Sequence, residues 1–268
     1  MLNWVIRACE AASLSRICVI TGYKSQYIEH YLNDKYTTAL QPQRLGTGHA
    51  VMQAVPFLQQ ELDGNTLVLC GDAPFMDAET IQHALTMHEQ QGNAVTVITA
   101  ELDQPHGYGR ILRTETGIAG IVEEKDATEE QRRIQEVNSG AYWFRTADLI
   151  ALLDTLEPSN AQGEYYLTDT VGAAIAAGKR AGAYKTENAD VVLGANTRKD
   201  LLMLNEVARQ KILDKHMENG VNFVCTDGIL IGRDVEIGAE TTILPGTIIK
   251  GKTKIGMKST IGPNCLIE

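Results

Sequence analysis

An acidic side chain closes an apolar run in Leu69-Cys70-Gly71-Asp72-Ala73-Pro74. In open α/β sheets, ligands sit beyond the carboxyl ends of the strands. A lone aspartate there suits Mg²⁺, which takes one or two protein oxygens and fills its other positions with phosphate oxygens and water. Capping the next helix is the other role open to Asp72. Upstream, Leu40-Gln41-Pro42-Gln43-Arg44-Leu45-Gly46-Thr47-Gly48-His49-Ala50 sets two glycines around a threonine, just ahead of a helical pattern. Such a loop lets backbone N–H groups approach a ligand closely, and the helix start favours an anion or a base edge. A plain helix-capping turn is the alternative, and His49 reads as a helix-start residue.

A third group of polar positions lies in Gly107-Tyr108-Gly109-Arg110-Ile111, Ile121-Val122-Glu123-Glu124-Lys125-Asp126 and Glu136-Val137-Asn138-Ser139-Gly140. Each falls at a strand edge or turn. A glycine for close approach (Gly109), a carboxylate (Glu123) and a carboxamide (Asn138) suit a sugar, whose hydroxyls need both donors and acceptors. A solvated charge run is the competing account of residues 123–126. Asn196, in Leu193-Gly194-Ala195-Asn196-Thr197, is either a second oxygen ligand or a helix cap. The chain has no GxSxG, HExxH or GxxxxGK[ST] motif and no Cys/His pair at metal spacing. This weakens hydrolase, zinc-enzyme and P-loop readings.

The elements that must position these residues follow two periodicities. The first two thirds alternate helix-like stretches (2–12, 25–33, 48–61, 78–91) with strand-like ones (16–21, 66–70, 94–99). Apolar strands spaced by amphipathic helices predict a largely parallel sheet covered on both faces. A polar-apolar stretch from Arg198 to about Met217 predicts a connecting helix that ends near Asn219-Gly220. Beyond it, isoleucine recurs every six residues at 231, 237, 243, 249, 255, 261 and 267. Glycine follows at 232, 238, 256 and 262. This is the hexapeptide rhythm of a left-handed parallel β-helix, in which about three hexads make one coil. About two coils are present, and the rhythm is still running at Glu268. Either another chain covers that end or further coils belong to it.

Composition sets the outer bounds. The 268 residues are 44% hydrophobic and 22% charged, which suits a globular chain with a real core. No apolar run approaches the roughly 20 residues of a membrane span. The first residues, with Arg7 and Glu10, lack a signal-peptide layout. Five scattered cysteines predict reduced thiols in a cytoplasm rather than a disulfide framework. A net charge of −10 speaks against a nucleic-acid partner. It leaves phosphate ligands open, because N–H groups and Mg²⁺ can hold them.

Taken in order, Gly46-Thr47-Gly48-His49-Ala50, Gly71-Asp72, Gly107-Tyr108-Gly109-Arg110, Val122-Glu123-Glu124-Lys125-Asp126, Glu136-Val137-Asn138-Ser139-Gly140, Asn160-Ala161-Gln162-Gly163-Glu164-Tyr165-Tyr166-Leu167-Thr168-Asp169 and Gly194-Ala195-Asn196 form one pattern. Over nearly the whole chain, this pattern closely resembles the bacterial bifunctional N-acetylglucosamine-1-phosphate uridyltransferase / glucosamine-1-phosphate acetyltransferase family. The resemblance implies a Rossmann-like α/β nucleotidyltransferase domain followed by the start of a left-handed β-helix. The divisions it implies are 1–197 for the nucleotidyltransferase, 198–228 for the linker helix and connection, and 229–268 for the β-helix. It further implies that Gln41, Gly46 and Thr47 hold uracil and that Gly71 packs near the ribose. Asp72 and Asn196 would ligate Mg²⁺, and Gly109, Glu123 and Asn138 would hold N-acetylglucosamine. The implied reaction joins UTP and N-acetylglucosamine-1-phosphate, releases pyrophosphate, and supplies peptidoglycan and lipopolysaccharide synthesis. The implied assembly is a cytoplasmic homotrimer.

Two departures from the family's pattern bear on activity. Its first strand and its Gly-rich loop, with an Arg and then a Pro-Lys pair, have no counterpart here. Met1-Leu2-Asn3-Trp4-Val5-Ile6 aligns instead with a later helix. A sheet without that strand would leave two inner strands with unpaired N–H and C=O groups. The later coils that carry acetyl transfer are also absent. An impaired uridyltransferase is therefore expected, against a non-catalytic relative that binds sugar nucleotide or only oligomerises. A thymidylyl or adenylyl relative is a third reading. The Glu123/Asn138 pair and the run from Asn160 favour the N-acetylhexosamine member.

Overall fold

The computed structural model describes residues 1–115 and 117–268, and the chain divides into two units, Met1–Leu193 and Gly194–Glu268. The first opens with α1 (Leu2–Ala11), β1 (Cys18–Thr21), α2 (Ser25–Leu32) and β2 (Thr37–Leu40). Next come α3 (Thr47–Met52), α4 (Val55–Leu58), β3 (Asn65–Val68), α5 (Ala78–Gln91) and β4 (Val95–Glu101). Then follow β5 (Arg110–Arg113), β6 (Ile118–Val122), α6 (Glu129–Arg132), β7 (Glu136–Arg145), α7 (Thr146–Leu153), α8 (Asp169–Ala176) and β8 (Ala181–Lys185). Helix α5 matches the predicted span, and its ends show why. Asp77 accepts a hydrogen bond from Thr80 N–H at 2.7 Å at one end, and Gly92 at φ +61° stops the other.

The main sheet runs β6-β5-β7-β4-β8, with β3 also paired to β7. It is mixed rather than largely parallel. Strand β7 runs antiparallel to β3, β4 and β5, while β4 and β8 pair in parallel. The sequence hides β7 because Ala141-Tyr142-Trp143-Phe144 is apolar without a break. Both faces of that strand are buried, so no polar alternation marks it. Tyr142, Phe144, Val95 and Val97 pack with Leu149, Leu153 and Val171 from α7 and α8. Ala141, Trp143 and Ile98 pack on the other face with Ala8 of α1 and Ile81 of α5. The two-residue period of the strands thus divides one run between two cores.

Strands β1 and β2 pair in parallel as a separate two-stranded sheet. Among the described residues, β1 pairs only with β2 and β3 only with β7. Both strands border a cavity of about 860 Å³, together with Val5 and Ile6 of α1, Val51 of α3 and Phe57 of α4. Arg16, just ahead of β1, pairs with Glu61, just ahead of β3, so the two strands begin at the same end. Among the described residues, each of these strands thus keeps one edge without a strand partner.

The second unit holds α9 (Arg198–Glu218), which opens on a capping box between Thr197 and Asp200. Short strands follow and pair in parallel 18 residues apart, as in Leu230 with Ile248 and Ile248 with Leu266. Three six-residue steps thus bring each isoleucine over an equivalent one. Ile231, Ile237, Ile243 and Ile249 are buried with Leu213 of α9, whereas Ile255, Ile261 and Ile267 are less covered. The helix that the resemblance assigned to a linker shares this core. Among the described residues, no helix is long and apolar enough to cross a membrane.

Open edges lower local stability. Amide hydrogen exchange followed by NMR should show Val19–Thr21 and Thr66–Val68 exchanging at least ~10-fold faster than Val95–Ile98. Equal protection would mean that the two sheets are joined.

Candidate functional site

The Gly-Thr-Gly loop is clamped by a distant segment. Gly48 N–H donates to Tyr165 O at 2.8 Å, Tyr165 N–H donates to Leu45 O at 2.8 Å, and Leu167 N–H donates to Thr47 Oγ1 at 3.0 Å. Gly46 stands at φ +108°, and a Cβ there would lie 2.5 Å from Tyr165 O. Only glycine allows this approach. The loop is therefore more than a turn that caps α3. Gln41, just past β2, donates through Nε2 to Gly46 O at 3.1 Å and lies 3.0 Å from His49 Nδ1. That orientation leaves its Oε1 as an acceptor. His49 serves the loop from inside the helix, as its position predicts.

Asp72 does not cap α5, since Asp77 holds that place. It is exposed and makes no hydrogen bond or ion pair among the described contacts. Gly71 beside it has open space where a Cβ would stand. Among the described residues, no three His, Cys, Asp or Glu side chains cluster for a metal. A free carboxylate at a cavity wall nevertheless fits Mg²⁺ that is shared with phosphates.

Gly109, Glu123 and Asn138 come together although 29 positions separate the first from the last. Asn138 N–H donates to Gly109 O at 2.9 Å, and a Cβ on Gly109 would sit 3.3 Å from a Glu123 carboxylate oxygen. Glu123 Oε1 accepts a hydrogen bond from Thr168 Oγ1 at 3.2 Å. Burial pushes the Glu123 carboxyl above its ordinary range; the Thr168 hydrogen bond opposes this, and Asp126 and Asp169 add to it. Residues 123–126 are solvated only in their second half: Glu123 and Glu124 are half-buried, whereas Lys125 and Asp126 are exposed. Glu124 pairs at 2.7 Å with Arg110, which is 2% exposed, and Lys125 donates to Gln162 at 2.7 Å.

The cavity between β1 and β3 extends to Gln41, Thr47, Gly71, Asp72, Glu123 and Asn138. Six of the expected site residues thus border one cavity, and Gly46 and Gly109 are hydrogen-bonded to two of them. Asn196 lies in the second unit. Its N–H donates to Asp200 at 3.1 Å, and Thr197 is the cap of α9. Thr168 and Tyr142 were missed as site residues. Both line the cavity and both hold a predicted residue, Thr168 holding Glu123 and Tyr142 holding Asn138. No local signal marks them, because Thr168 acts on a residue 45 positions away and Tyr142 through a buried ring.

Known proteins match this arrangement. The bifunctional protein GlmU of Acetivibrio thermocellus is 44% identical over 249 residues, covering 92% of this chain and 54% of that protein. That of Caldanaerobacter subterraneus subsp. tengcongensis is 44% identical over 268 residues, covering 100% of this chain and 58% of the relative. The chain thus spans little more than half the length of these curated relatives. A solved structure from Bacillus anthracis, described as a glucose-1-phosphate thymidylyltransferase in complex with sucrose, superposes with a TM-score of 0.62. It covers 78% of this chain and 82% of its own at 20% identity, a likeness of fold alone. Residues 1–195 match the family model described as nucleotidyl transferase, and the clamped loop, free aspartate and buried glutamate all lie inside that span. By that match the chain belongs to the nucleotidyl transferase family, and over nearly its whole length it is similar to the bifunctional GlmU proteins.

Proposed function

We propose that the first unit transfers UMP from UTP to N-acetylglucosamine-1-phosphate, giving UDP-N-acetylglucosamine and pyrophosphate. One observation carries this reading: a single cavity borders a carboxamide and threonine for a base, a free carboxylate for a phosphate-bound ion, and a carboxylate and carboxamide for a sugar. Gln41 Oε1 accepts from the base, whose edge lies along Gly46 and Thr47. Gly71 leaves room for the ribose. Gly109 admits the sugar ring, while Glu123 and Asn138 bond its polar groups.

In the reaction, an oxygen of the sugar phosphate attacks the α-phosphorus of UTP. A new P–O bond forms, the bond to the β-phosphate breaks, and pyrophosphate leaves with the electron pair. Both reactants are anions, so this chain contributes mainly positioning and control of charge. Asp72 would hold Mg²⁺, which when bound supplies neutralisation of phosphate charge. By the same reading, the second unit begins a left-handed parallel β-helix, supported by strand pairing at 18-residue intervals. The complete protein would be a cytoplasmic trimer that feeds envelope synthesis.

Asp72→Ala should abolish Mg²⁺-dependent UTP binding in calorimetry, and an unchanged affinity would remove Asp72 from the site. The purified 268 residues should release pyrophosphate at least ~10²-fold more slowly than a full-length GlmU relative. They lack the Gly-rich Arg and Pro-Lys groups, and one lost transition-state donor costs about 2.7–4 kcal/mol. Near-normal turnover would count against a need for that loop.

Glu123 gives a test that depends on pH. A carboxyl raised in the fold contributes stability below its unfolded pKa of roughly 4.3 and loses it as pH rises through the folded value. Glu123→Gln should therefore raise Tm at pH 7, with the gain vanishing towards about pH 4, while affinity for the sugar nucleotide falls. A lower Tm at pH 7 would contradict the burial argument, and a retained affinity would take Glu123 out of the sugar site.

A further inference from the structure

We infer that Tyr142 is a positioning residue that fixes the Asn138 carboxamide in one orientation and thereby sets the preference for an N-acetylated sugar; this rests on the proposed function of the site. Asn138 Oδ1 accepts from Gly140 N–H at 2.9 Å, and Asn138 Nδ2 donates to Tyr142 Oη at 2.6 Å. A backbone N–H can only donate, so the Gly140 contact identifies the oxygen of the amide. Tyr142 then has to accept.

The phenol has little freedom to do otherwise. Tyr142 is 2% exposed, its backbone pairs with Val68 on one side and Val97 on the other, and its ring lies 5.8 Å from Phe144. Its hydroxyl stands near Cys70, Glu123 and Asp169, and a hydroxyl so far withdrawn from water is costly unless it is bonded. Asn138 is its one recorded hydrogen-bond partner among the described residues. Tyr142 and Asn138 both border the cavity.

With both partners in place, Asn138 keeps one N–H and one lone pair for a ligand, each in a known direction. An acetamido group offers a fixed C=O and a fixed N–H. A hydroxyl in its place rotates to suit either end of an amide. A fixed carboxamide therefore tells acetamido from hydroxyl, and one free to flip does not.

Calorimetry of UDP-N-acetylglucosamine and UDP-glucose with the 268-residue chain and its Tyr142→Phe variant tests this. The variant should lose about tenfold in affinity for the acetamido nucleotide, the ratio that ~1.4 kcal/mol represents. UDP-glucose should bind as before, so the preference narrows tenfold. In an Asn138→Ala background, Tyr142→Phe should change the preference no further. A packing role alone would lower Tm and weaken both nucleotides equally, and that result overturns the inference. If the wild-type chain binds both nucleotides equally or neither, the sugar assignment itself fails. Should Tyr142→Phe not fold, NMR on the wild-type chain decides. One Asn138 Nδ2 hydrogen should be protected from solvent exchange, and free exchange of both would overturn the role of Tyr142.

Discussion

The site depends on a backbone clamp between residues 45–48 and 165–167. Two main-chain hydrogen bonds and the Thr47 hydroxyl tie the Gly-Thr-Gly loop to a segment more than 110 positions later. Gly46 makes the clamp possible, because any Cβ would strike the Tyr165 carbonyl. The next residue along, Thr168, reaches Glu123. One short segment thus sets both the loop assigned to the base and the carboxylate assigned to the sugar. The loop and the carboxylate are thus anchored to the same four residues, 165–168.

Charge is handled in two different ways at this cavity. Glu123 is partly buried beside other carboxylates, and its raised carboxyl shows the cost of holding a charge there. Asp72 is exposed and unengaged, the opposite condition, which suits a ligand that arrives with the substrate. Arg110 and Glu124 neutralise each other in a pair whose cation is almost fully buried.

The divided sheet bears on the same cavity. Strands β1 and β3 begin together at the Arg16–Glu61 pair and run along the walls that end at Gly22 and at Gly71-Asp72. Their inner edges have no strand partner among the described residues. Buried backbone groups without partners are rare in stable folds, so local opening is expected to begin along this stretch. Helices α1, α3 and α4 add apolar side chains to the lining of the cavity between them.

Local rules made a good part of this protein legible. Asp77 and Gly92 bound α5, the Thr197 box starts α9, and the six-residue isoleucine step sets the 18-residue pairing of the second unit. These depend on neighbours in sequence or on a strict period, and both can be read without a fold. Asp72, Glu123 and Asn138 were legible as chemically able groups because they follow strand-like runs or sit at turns, whereas Gln41 took its role only from the family resemblance. Strand β7, whose unbroken apolar run hides its alternation, was not, and with it the mixed character of the sheet. Nor were Thr168 and Tyr142, since a hydroxyl gains its role only from what the chain brings beside it. Thr168 meets Glu123 across 45 positions, and Tyr142 meets Asn138 only because β7 loses its even register between Asn138 and Ala141, and tertiary structure decides both.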